Sequence, residues 1–97
     1  MPFFRVMLHG TGISFNGDDP GATPCIGFYT SRAVRAGSAE EAVEKAKKSV
    51  LDLWKTEEYV RANSSGLPVL STTKVEEISF WRSRAIPNAG HTFYTEE

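Results

Sequence analysis

Residues 38–54 have the pattern of a capped amphipathic helix, and this segment constrains the fold more than any other. Ser38 and Glu41 have the spacing of a capping box, in which each side chain satisfies a backbone N–H group that the helix leaves free. Apolar residues then recur at intervals of three and four, which gives the helix one apolar face. They are Ala39, Ala42, Val43, Ala46, Val50, Leu53 and Trp54. Because the first of them are small, we expect the helix to lie close against a sheet.

Strand-like segments lie on both sides of this helix. Residues 3–9, 25–36, 69–70 with 74–81, and 91–95 are rich in β-branched and aromatic residues. Residues 10–24 and 82–90 are predicted to be loops, and a short second helix could follow Thr56. In the third strand Val75 is out of phase with Ile78 and Phe80, which predicts a bulge or a change of register.

The element order therefore predicts an α+β fold with two layers. A four-stranded, mainly antiparallel sheet, in the order β-β-α-β-β, is covered on one face by one long helix. We expect the first strand between the second and third, which gives a strand order of 2-1-3-4. The uncovered face would carry Phe3, Met7 and some of the rings of Tyr29, Trp81 and Tyr94. A face this apolar is expected to be covered, either by the loop 10–24 or by a second copy of the chain in a homodimer.

Composition narrows the class of protein. A chain of 97 residues predicts a single domain, 1–97, with an ordinary globular composition. A formal net charge of −1 gives no general attraction to nucleic acid or anionic lipid. The lone Cys25 excludes an intrachain disulfide, and neither a signal peptide nor a membrane span is recognised. The sequence therefore predicts a soluble, cytoplasmic protein.

One candidate site consists of His9, Cys25 and His91, each expected at a strand end. Together they could form a Cys–His pair for nucleophilic catalysis or three ligands for zinc. No local motif spacing brings any two of them together, however, and the glycine-rich segment 10–17 lacks the known phosphate-binding patterns. The sequence therefore favours a protein that is not an enzyme and has no cofactor or metal, with this set as the alternative.

A second candidate site combines arginines with aromatic side chains. Arginines lie on or beside the predicted strands, interleaved with aromatic rings, and a surface of this kind can stack nucleic-acid bases. The proposed binding residues are Tyr29, Arg32, Trp81, Arg82 and Tyr94. The net charge and the nearby glutamates favour a different reading, in which the rings and arginines anchor a protein interface. Nucleic-acid binding is kept as an alternative.

The tripeptide Phe-Tyr-Thr occurs twice, at residues 28–30 and 93–95. Both copies are predicted to be strands, because these residue types favour a half-buried pleated surface. In the strand order 2-1-3-4 they occupy opposite edges of the sheet. We therefore expect that the two copies do not pair, and that Tyr29 and Tyr94 point outward.

Three stretches, "LHG", "GFYTSRAVRAGSAEEA" and the pair "VEEI" with "NAGHTFYTEE", resemble a small group of uncharacterised bacterial proteins of similar length. The resemblance spans most of the chain and implies no activity, substrate or cofactor. The function expected from the sequence is therefore a small non-catalytic protein that binds a partner and self-associates through its sheet. The alternatives are a regulatory or immunity-type partner of another protein, a small enzyme, and a weak binder of single-stranded nucleic acid.

Overall fold

A computed structural model describes residues 1–15, 23–86 and 91–95. Residues 16–22 and 87–90, which belong to the two predicted loops, and the terminal residues 96–97 lie outside this part of the chain. The elements in chain order are β1 (Phe3–Phe15), β2 (Cys25–Arg35), α1 (Ala39–Trp54), α2 (Glu57–Ala62), β3 (Val69–Ile78), α3 (Phe80–Arg84) and β4 (Thr92–Tyr94). None of the helices described is both long and apolar enough to cross a membrane.

The predicted α+β fold with two layers is confirmed. The four strands form one antiparallel sheet, and α1 packs on one face of it. The strand order is β3-β1-β2-β4, so β1 lies between β2 and β3 as predicted. The predicted place of β4 is wrong, because β4 pairs with β2 and not with β3.

The pairing of β4 also overturns the prediction for the two Phe-Tyr-Thr copies. They lie side by side, with Phe28 opposite Phe93 and Gly27 opposite Tyr94. The edges of the sheet are therefore β3 and β4.

Helix α1 begins as its capping residues predict. The N–H of Glu41 donates to Ser38 Oγ at 3.2 Å, and the N–H of Gly37 donates to Glu41 Oε2 at 3.2 Å. The side chain of Lys45 and the N–H of Gly37 hold the pKa of the Glu41 carboxyl below its ordinary value. The buried side chains of α1 recur every four residues, at Ala42, Ala46, Val50 and Trp54. The small residues among them let the helix lie close to the sheet.

The core fills the space between α1 and the sheet. Side chains that alternate along β1 point into it, and Phe28 joins them from β2. Beyond the predicted end of the first strand, Ile13 is buried and Phe15 packs against the core. The strand therefore continues through much of the segment predicted to be a loop. Its far end is held at residue 14, whose carbonyl oxygen accepts from the N–H of Ser64 at 2.9 Å.

The third strand and the segment after it differ from the sequence prediction. A register irregularity does occur in β3, but it lies at Thr73, before Val75. Val75 faces α1, whereas Ile78 pairs with Phe3 and is buried on the opposite face. The strand then ends, because Ser79 caps α3 by accepting from the N–H of Arg82 at 3.2 Å. Helix α3 therefore occupies part of what was predicted to be strand and loop, and the predicted short helix α2 is present.

Candidate functional site

The sheet face away from α1, here called the open face, carries the candidate site. Alternation along the strands places Arg5, Met7 and His9 of β1 on this face. Tyr29 of β2 lies opposite His9, and Tyr94 of β4 lies opposite Gly27, one row further along. Three strands therefore bring aromatic, basic and thioether side chains to one surface.

Three rings on the open face form a contact group that we call the His9 cluster, made of His9, Tyr29 and Tyr94. The imidazole of His9 stacks on the ring of Tyr29, with centroids 4.5 Å apart and planes 11° apart. His9 Nε2 and Tyr94 Oη are 2.6 Å apart and share a hydrogen bond. Tyr29 remains half exposed. The cluster is thus a preformed aromatic surface with polar atoms at its edges.

Gly27 makes room for the Tyr94 ring. A Cβ atom at this position would overlap the ring atoms of Tyr94, so the ring lies directly across the glycine backbone. Gly10 has the same relation to Phe28 on the core face. In each case an aromatic side chain covers a glycine of the neighbouring strand, a pairing that protects the glycine backbone and fixes the register.

A pocket of about 560 Å³ opens beside the His9 cluster. This volume is within the range of small-molecule sites, roughly 300–1,000 Å³. Arg5, Met7 and Tyr29 line it from the sheet, and Thr73 lines it from β3. Ile86, just after α3, closes one side. The walls therefore combine apolar surface with a few hydrogen-bonding groups.

Positive charge exceeds negative charge at the Arg5 end of this pocket. The carboxylate of Glu76 forms ion pairs with three side chains: Arg5 at 3.4 Å, Arg82 at 3.5 Å and Lys74 at 3.6 Å. One carboxylate cannot neutralise three cations. In addition, the Nε of Arg5 is buried and has no hydrogen-bond acceptor among residues 1–15, 23–86 and 91–95.

Helix α3 lies at one end of the open face, where the ring of Phe80 meets that of Phe3 at a centroid distance of 5.7 Å. The side chain of Trp81 is 77% exposed, and that of Phe80 is 47% exposed. The guanidinium of Arg84 lies 5.6 Å from the centre of the Phe80 ring. Two of the predicted binding residues, Trp81 and Arg82, are therefore on a surface helix and not on a strand.

Arg32 does not lie on the open face. It pairs with Val6, points toward α1 and is 1% exposed. Its Nε and Nη1 have no hydrogen-bond acceptor in the part of the chain that the structure describes. Burial lowers the pKa of its guanidinium, and nearby Tyr59 partly offsets this effect. Of the five predicted binding residues, the structure thus brings Tyr29 and Tyr94 together and places Trp81 and Arg82 on α3.

His9, Cys25 and His91 are not brought together. His91 lies in the aromatic core, where its Nε2 accepts from Trp54 Nε1 at 3.2 Å, whereas His9 is on the open face. Tyr29 is the pairing partner of His9, and Cys25 precedes Tyr29 by four residues on β2. Four residues of a strand span about 13 Å, so Cys25 lies about this far along the sheet from His9. Among the described residues, no group of three or more His, Cys, Asp or Glu side chains could hold a metal ion.

Sequence reasoning missed the part that Arg5, Met7 and Ile86 play in the pocket. Arg5 and Met7 alternate with buried residues in the first strand, so their shared face was visible in the sequence. The contribution of Ile86 was not, because it depends on α3 turning back across the sheet.

Comparison with known proteins adds no assignment to this site. The chain matches no known protein-family model, no curated protein and no solved structure.

Proposed function

We propose that this chain is a small, non-catalytic binding protein that uses its open face as the binding surface and self-associates through it. The single observation that carries the proposal is the group of large exposed side chains on the side that α1 leaves uncovered. Tyr29 is 50% exposed, Phe80 47% and Trp81 77%. Exposed aromatic residues in contact, such as Phe80 and Trp81 with ring centroids 5.4 Å apart, mark interaction surfaces more often than isolated apolar residues do.

A second copy of the chain is the partner that fits this surface best. A twofold interface uses the same patch on both subunits, so the patch must be complementary to itself. Here Trp81 and Phe80 adjoin Arg82 and Arg84, and aromatic rings and arginines pair favourably across interfaces. A reducing, cytoplasmic location is part of the same proposal, because Cys25 is a free thiol.

The other candidate functions gain less support from the geometry. A small enzyme would need His9, Cys25 and His91 within reach of one another. His9 is on the open face, His91 contacts Trp54 on the core side, and Cys25 lies four residues along β2 from the partner of His9. A nucleic-acid surface would need free arginines, but Arg32 is buried. A regulatory complex with a different protein would use the same exposed aromatic surface.

The test is the oligomeric state of the purified chain, measured by analytical ultracentrifugation from about 1 to 200 μM, the range in which weak dimers form. We expect a dimer that Trp81→Ser weakens at least about tenfold, because buried tryptophans at interfaces contribute 1.4 kcal/mol or more. Val60→Ser is the matched control, since Val60 is an exposed apolar residue on α2.

A monomer across the whole concentration range would overturn self-association. Equal weakening by Trp81→Ser and Val60→Ser would place the interface elsewhere.

A further inference from the structure

We propose that the pocket on the open face binds a small organic anion, with its carboxylate or phosphate group at Arg5 and an apolar body against Met7 and Ile86. This inference rests on the open face being the binding surface, as proposed above, but it does not require self-association. The pocket combines a cavity of suitable size with a buried guanidinium nitrogen that has no acceptor among the described residues.

The first step of the argument is the hydrogen-bonding state of Arg5. Its Nη1 is held by Glu76 at 3.4 Å, a long contact for a charged pair. Its Nε is buried and has no acceptor within residues 1–15, 23–86 and 91–95. A buried donor without an acceptor is costly, and an ion bound beside the guanidinium is one way in which this cost is offset. An oxyanion is the ligand that a guanidinium edge binds best.

The second step is the local charge. Arg5, Lys74 and Arg82 surround the single carboxylate of Glu76. These four groups carry a formal charge of +2, although the whole chain carries −1. The pocket therefore attracts an anion at the end where Arg5 lies, and added salt should weaken this attraction.

The third step is the shape and chemistry of the remaining walls. Met7 and Ile86 supply apolar surface, and Met is a side chain that adapts to flat or irregular ligands. The ring of Tyr29, already stacked on His9, offers an aromatic wall. Ser31 and Thr73 add hydroxyl groups beside it. These walls favour a compact ligand with a planar or apolar body over a bare inorganic ion.

The test compares three probes that share a phenyl ring: benzoate, phenyl phosphate and the neutral benzamide. Binding is followed by NMR through the backbone amide signals of Met7, Ser31 and Thr73 in the uniformly ¹⁵N-labelled chain. We expect at least one anion to shift these signals to saturation, and benzamide to bind at least about tenfold more weakly. The preferred anion distinguishes a carboxylate site from a phosphate site.

Two variants with opposite expected effects test the role of charge. Arg5→Gln should weaken the preferred anion at least about tenfold, because it removes the guanidinium. Glu76→Gln should strengthen it by about threefold or more, because it removes the competing carboxylate. A gain in affinity cannot result from a damaged fold. Arg61→Gln is the control, since Arg61 pairs with Glu57 on α2.

Benzamide binding as tightly as the anions, or an Arg5→Gln variant with unchanged affinity, would overturn the anion assignment and leave the open face as a binding surface. No binding by any probe would overturn the pocket as a ligand site. Neither outcome bears on the ultracentrifugation result, so the two proposals fail separately.

Discussion

Arg32 is buried, although arginine is usually an exposed residue. Tyr29 and Arg32 are three residues apart on β2, so strand alternation places them on opposite faces. The prediction that both belong to one arginine and aromatic surface was therefore wrong for Arg32. The outward positions predicted for Tyr29 and Tyr94 follow from the same alternation and agree with the structure.

The buried Arg32 leads to a prediction about stability. Arginine stays charged at neutral pH, and a buried guanidinium with two of its three nitrogens lacking acceptors is costly, so Arg32→Met should stabilise the fold by about 1–4 kcal/mol. Urea unfolding followed by tryptophan fluorescence measures the change. Arg35→Met is the control, because Arg35 is exposed on the same strand and its replacement should change stability by less than about 0.5 kcal/mol. A loss of stability in Arg32→Met would show that the guanidinium makes favourable contacts.

At the level of elements, helix α1 was predictable, whereas the pairing partner of β4 and the presence of α3 were not. Helix α1 has a capping residue and an apolar stripe, which are local signals. Strand β4 has three residues and lies beside β2 only because of contacts between distant parts of the chain. Helix α3 has five residues and depends on Ser79 as its cap, a signal that the neighbouring aromatic residues obscured by favouring strand. The candidate site depends on both short elements, so most of it could not be predicted.

The pairing of β4 with β2 predicts that one methyl group added at Gly27 will lower the stability of the fold. Gly27→Ala should push the Tyr94 ring off β2, break its hydrogen bond with His9, and destabilise the fold by about 1–3 kcal/mol, the usual cost of overpacking. Unfolding by urea measures the change, and the Tyr94 ring signals in NMR report the displaced ring.

Gly66→Ala is the matched control, because a Cβ atom there would meet no neighbour within 4 Å. It should leave stability unchanged or raise it slightly, through the smaller entropy of the unfolded chain. If both variants behaved alike, the Tyr94 ring would not lie across Gly27.

For the whole molecule, the central position of β1 predicts an order of local stability. Its backbone is paired on both sides, whereas β3 and β4 are paired on one side each among the described strands. Hydrogen exchange of β1 amides should therefore require global unfolding, and β4 amides should exchange fastest of the four strands. Exchange followed by NMR checks this order. Amides of β4 that exchange as slowly as those of β1 would mean that β4 does not open by itself.

The central position of β1 also has a consequence for synthesis on the ribosome. This strand is made first of the four, but one of its two partners, β3, is completed only at residue 78. At a synthesis rate of roughly 5–20 residues per second, several seconds pass between the completion of β1 and that of β3, and one edge of β1 is unpaired during this time. Its apolar side chains are covered only after α1 has followed β2 out of the exit tunnel. During that interval β2 is the one strand of the described sheet that can pair with β1.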